Sequence, residues 1–194
     1  MDKFRIFIVA VGFFILPSMA SAQIFVDSAS RQKYETLRAK YDWKDLSIEI
    51  RPLKYAPADG FEAKSIQDTE GRFGQTFYVG PEVIVAVKSA VKLDILYQSS
   101  NPGTLSIVLT FDTATREKLQ DYTTKHMGEH LGILIDGKLR TIADIKRELS
   151  NGKTRISRLS PQEATSIADR FNAELKQINT QVFEEMKKND NEKK

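Results

Sequence analysis

The chain has 194 residues, 41% apolar and 28% charged, with no cysteine and a formal net charge of +3. Lacking cysteine, it has neither a disulfide framework nor a thiol nucleophile, so burial alone must hold the fold. Its Lys and Arg are interspersed with Asp and Glu rather than massed, which argues against a phosphate-tracking surface and so against nucleic acid as a partner.

The amino end reads MDKFRIFIVAVGFFILPSMASAQ. Lys3 and Arg5 precede an unbroken apolar run, Ile6 to Leu16, and Ala20-Ser21-Ala22 sets small residues at the A-x-A positions. That is the layout of a secretory signal peptide, residues 1–22, with Gln23 as the mature amino terminus. The run falls short of the roughly 20 residues that span a bilayer. The expected product is periplasmic or secreted, has no membrane span, and is long enough for one domain with a single sizeable core.

Residues 23–75 are expected to form a helix, a strand and a loop. Tyr34, Leu37 and Tyr41 recur at helical spacing with charges between them, and the lone tryptophan, Trp43, reads as core. In LSIEIRPLKY, Leu46, Ile48 and Ile50 alternate with Ser47, Glu49 and Arg51, as in a strand with one wet face. The polar, glycine-bearing stretch from Ala56 to Gln75 reads as an exposed loop, and its Gly71 and Gly74 lack the strand–glycine–helix setting of a nucleotide site.

Residues 76–172 carry the strongest patterns. VKLDILYQ and TLSIVLTF, separated by SSNPG, read as two antiparallel strands, with Leu105, Ile107, Leu109 and Phe111 on one face of the second. Asp112 or Thr113 caps a helix bearing Leu119, Tyr122 and His126, and Gly128 ends it. LGILIDGKLRTI is a hairpin around Asp136-Gly137, and SNGKTRISRL adds a turn and a strand. Ser160-Pro161-Gln162-Glu163 is a capping box opening a last helix. Residues 173–194 extend that helix and end in the charged tail KKNDNEKK, expected to be disordered.

Both histidines fall in KHMGEHLGILIDGKL, four apart. On one continuous helix they would share a face and a metal ion, but Gly128 between them stops the helix. The glutamate also sits on the wrong side of the pair for an H-E-x-x-H site, and no third ligand is evident. Neither a metal nor a cofactor is expected. Asp112, Asp136 and Asp144 are spaced for caps and turns rather than as a paired acid and base, and no G-x-S-x-G elbow is present. The chain is read as a non-enzyme, with a hydrolase using those acids as a lesser alternative.

Residues 77–171 resemble a known family, the head subdomain of the first periplasmic domain of SecD/SecDF. The resemblance rests on an L-x-F strand end, a helix closing at glycine, an L-x-I-x-x-D-G-x-L hairpin, a glycine turn, an I-S strand and an S-x-x-E-A helix start. The family's small residue and proline after the hairpin are replaced by Ile142-Ala143, and its transmembrane helices have no counterpart. The resemblance implies an α+β fold, a mostly antiparallel sheet with helices packed on one face. It also implies contact with polypeptide or an envelope protein partner, without motor activity. Lys138, Leu139, Arg140 and Ile142 of the hairpin are the expected contact surface. An alternative is an assembly subunit whose last helix offers Leu175, Ile178, Val182 and Met186 as a partner-facing stripe.

Overall fold

Alternating strands build two antiparallel sheets in a computed structural model, which describes residues 28–66, 74–97 and 103–191. The signal peptide and Gln23, together with Gly71 and most of the SSNPG turn, lie outside the described residues. In chain order the elements are α1 (Ser28–Arg38), β1 (Ile48–Lys54), β2 (Glu62–Ser65), β3 (Thr76–Val79), β4 (Val85–Ala86) and β5 (Ala90–Tyr97). They continue with β6 (Leu105–Phe111), α2 (Thr113–Lys125), β7 (His130–Ile135), β8 (Lys138–Asp144), β9 (Lys153–Leu159) and α3 (Pro161–Asn191).

The first sheet has the order β2-β3-β1-β7-β8, with β4 also paired to β1; the second has the order β5-β6-β9. Strand parity assigns the two faces of the first sheet. Ile48, Ile50, Leu131, Ile133 and Ile135 face the main core, where they meet Leu105, Ile107 and Leu109 of β6 and Ile167 and Phe171 of α3. Leu53, Phe77, Val79, Leu134 and Leu139 face the other way and form a second, smaller core with Ile66. The sheet curls around this second core until its outer strands β2 and β8 draw close. β1, from the region before residue 76, therefore lies in the middle of the first sheet.

The local signals behave as the sequence chemistry requires. Asp112 caps α2 by accepting from the Thr115 N–H at 2.8 Å, a contact worth about 1 kcal/mol. Gly128 takes φ +85 just past the helix. Ser160 and Glu163 exchange their capping-box bonds at 3.0 and 3.2 Å. Trp43 packs on Phe171 with ring centroids 5.1 Å apart.

Two expectations need correction. The stretch from Ala56 to Gln75 is not all loop, since β2 lies inside it and pairs with β3 just after it. Its four side chains are exposed or half-buried, so no apolar alternation announced the strand. The terminal tail is not irregular from Lys187, because α3 continues through Asn191.

A third concerns the proposed stripe on α3. Ile178 and Val182 are buried, but against Tyr34 and Leu37 of this chain's own α1. The stripe that was expected to face a partner is covered in cis.

Candidate binding surface

The hairpin forms where the sequence places it. Asp136 and Gly137 adopt φ +48 and +75, the left-handed pair that a two-residue type I′ turn requires. The turn is tied down on two sides. Asp136 bonds backbone N–H to the Ser47 carbonyl at 2.8 Å, and its carboxylate accepts from the Ser47 N–H at 3.1 Å and from Arg170 of α3. The Arg170 hydrogen bond, joined by the Ser47 backbone bond, holds the Asp136 carboxyl below the usual carboxylate range against the opposing effect of burial.

The four hairpin residues singled out by sequence divide. Lys138 is exposed at the start of β8. Leu139 is fully buried in the second core, so its side chain is not available to a partner. Arg140 occupies a bulge, where β8 has one residue more than β7 between Leu139 and Thr141. Its largely buried guanidinium donates to Glu163 at 2.9 Å, bracing the edge strand against the capping box of α3. Ile142 is half-buried against the second core. The edge of β8 thus offers Lys138, part of Ile142 and backbone, while alternation turns Leu139 inward.

A different surface carries more exposed apolar area. Among the described residues five large hydrophobic side chains are exposed, and Val91, Leu96 and Tyr97 all belong to β5. Tyr97 is 89% exposed. β5 is an outer strand, paired only to β6 among the described residues, and a bulge at Val91 marks its start. The sequence did show VKLDILYQ as an alternating strand antiparallel to TLSIVLTF. It did not show that this strand sits at an edge, because edge position depends on the pairing of the whole sheet.

The candidate acids and the histidines are engaged elsewhere. Asp112 caps α2, Asp136 holds the turn, and Asp144 accepts from His130 at 3.0 Å with Lys146 3.7 Å away. His126, at the end of α2, pairs with Glu129 at 3.1 Å and stacks on Tyr122. The histidines thus serve two separate carboxylates, and among the described residues no group of three or more ligand-type side chains could hold a metal. A shallow depression on α3, lined by Gln162, Ser166, Asp169 and neighbours, is open to solvent.

Comparison with known proteins decides the family. The description "SecDF, P1 head subdomain" matches residues 63–173, more than half of the chain. The chain belongs to the SecDF P1 head family. A protein translocase subunit SecD from Koribacter versatilis (strain Ellin345) is 35% identical over 60 residues, 31% of this chain but only 11% of that protein. Two solved structures share the fold. "Crystal structure of SecDF in Super-membrane-facing form" has a TM-score of 0.52 at 18% identity, covering 75% of this chain and 21% of that one. "Structure and function of a membrane component SecDF that enhances protein export" has a TM-score of 0.51 at 17% identity, covering 76% of this chain and 69% of that one.

The family match spans the second sheet, the strands of the first sheet other than β1, and the start of α3, including the hairpin and β5. It leaves out α1, β1 and the second half of α3. Among the described residues no helix is long and apolar enough to cross a membrane.

Proposed function

We propose that this SecDF P1 head protein is an exported binding module, acting outside the cytoplasmic membrane by contact with polypeptide or an envelope protein partner. It works by binding rather than turnover, with no motor step of its own and no cofactor. Family membership supports the setting: one relative is a protein translocase subunit, and one solved structure is titled as a membrane component that enhances protein export.

The observation that carries the reading is that β5, an outer strand, exposes Leu96 on one face and Tyr97 on the other. An extended polypeptide lying along an outer strand can pair with its backbone and set alternate side chains against Leu96 and Tyr97. The β8 edge, with Lys138 and Ile142, is the second place where such a segment can add. Arg140 supports that edge from behind, through Glu163.

The test uses a photo-crosslinking amino acid placed at Tyr97, and separately at Lys138, in cells. Adducts with exported polypeptides or one envelope protein are expected at Tyr97. Their absence at both positions, with an intact fold, would sink the reading. Purified chain should also slow aggregation of an unfolded exported client without ATP or a proton gradient.

A further inference from the structure

We propose that α1 is a releasable strap: it opens from the C-terminal half of α3 without unfolding the two sheets, and so uncovers the apolar stripe formed by Ile178 and Val182. This holds whatever the module binds.

The strap has its own small core. Tyr34 and Leu37 pack on Ile178 and Val182 in a cluster distinct from the two sheet cores, and Tyr34 stacks on Phe183 with centroids 5.7 Å apart. The polar ties of α1 and the turn after it include the Tyr34 hydroxyl to Asn179, Arg31 to the Thr113 hydroxyl at 3.2 Å, Lys33 to the Met186 carbonyl at 3.5 Å, the Tyr41 hydroxyl to Glu185 at 3.0 Å and Lys40 to Glu185 at 3.8 Å. α1 contributes no strand, so its departure breaks no sheet pairing.

Its attachment is flawed at Arg38. Arg38, the last residue of α1, is 4% exposed, yet no carboxylate lies within ion-pair distance of it among the described residues. Its Nη2 donates to the Ala90 carbonyl, while its Nε is buried without an acceptor. Burial of this guanidinium outweighs the attraction of the more distant Asp112 and Glu35 carboxylates, so it opposes the docking that buries it, and opening returns it to water. The other buried side-chain atom left without a partner among the described residues is Oε2 of Glu174. Its Oε1 accepts from the Lys44 and Asp45 N–H groups, where the segment after α1 meets α3. From Trp43 onward the chain is secured, by Trp43 on Phe171, by Arg170 to the Asp45 carbonyl and by Ser47 to Asp136. Opening is therefore confined to the strap, with its hinge between Ala39 and Asp42.

Native-state hydrogen exchange of the purified full chain across a denaturant series tests this. Amides of α1 should exchange roughly 100-fold faster than those of β6, with little dependence on denaturant, as local opening requires. Arg38→Met keeps the apolar stem and removes the charge, and should slow α1 exchange by about tenfold. The proposal is overturned if α1 amides follow the same denaturant dependence as β6, which would make opening global. It is equally overturned if Arg38→Met speeds α1 exchange, which would make the buried guanidinium a net anchor.

Discussion

Arg170 grips both carboxylate oxygens of Asp136, at 2.8 and 3.0 Å, and so ties the third turn of α3 to the tip of the β7–β8 hairpin. Asp136→Asn keeps the turn, since asparagine accepts the left-handed conformation, and removes the charge. It should lower stability at neutral pH by about 0.5–1 kcal/mol, because the pair is partly exposed and screened. The pH dependence follows from the direction of the shift. The Asp136 carboxyl is held below its ordinary value, so its stabilisation is fully present above that value and disappears as pH falls through the lowered one. Wild type and Asp136→Asn should differ at pH 7 and converge in strong acid. Denaturant melts at both pH values check this, and a difference that persists in acid would contradict it.

Gly137 isolates backbone strain from crowding. A Cβ at this position would meet nothing within 4 Å, yet φ is +75. Gly137→Val should cost roughly 1–3 kcal/mol through the backbone alone, while Gly137→Asn should cost clearly less. Thermal melts of the two variants check the order. Equal midpoints for wild type and the valine variant would mean the turn is not of this type.

Much of this architecture was legible because it rests on local chemistry. The Asp112 cap, the Gly128 stop, the Asp136-Gly137 turn and the Ser160–Glu163 box each act within a few residues, and each formed where its pattern stood. β2 was missed because its register is set by β3, not by its own side chains. The fate of Ile178 and Val182 was hidden for a similar reason. A helical stripe announces that something covers it, but not whether the cover is another chain or α1, more than 140 residues away. Leu139 shows the same limit within one strand, since the alternation was visible while the existence of a second core on that face was not.

Gly132 reports on the second core. A Cβ there would lie 3.0 Å from a terminal methyl of Leu139 and 3.1 Å from one of Leu53, both deeply buried. Gly132→Ala should therefore destabilise by about 1–3 kcal/mol through overpacking. In a Leu139→Ala background the Leu139 contact is relieved while the Leu53 contact remains, so the cost should fall in part. Additive effects in this double-mutant cycle would separate the two residues.

The histidine pairs lie on the surface and should be dispensable. His126 and His130 are each a third exposed or close to it, and each bonds a single carboxylate. His126→Ala with His130→Ala should cost no more than about 1–2 kcal/mol in total, the range of two partly exposed pairs. The fold should remain intact, and elemental analysis should find sub-stoichiometric zinc in the parent protein. One tightly held zinc per chain, lost in the double variant, would overturn this.

Charge reversal separates the two basic residues of the hairpin. Lys138 is exposed with no ion pair among the described residues, so Lys138→Glu should leave stability within about 0.5 kcal/mol of wild type. Arg140 is different, because its side chain is 13% exposed and its partner Glu163 also holds the Ser160 N–H. Arg140→Glu sets two carboxylates together in a partly buried site and disturbs the cap that starts α3. A loss of about 2–4 kcal/mol is expected, between a surface pair and a fully buried one. Glu163→Gln in the same background relieves the repulsion while its side-chain oxygen can still cap, so it should recover part of that loss. If contact runs along the β8 edge, Lys138→Glu should weaken crosslinking there at unchanged melting temperature. Any effect of Arg140→Glu on crosslinking must first be compared with its melting curve. Equal melting temperatures for the two reversals would show that the Arg140–Glu163 contact does not brace the edge strand.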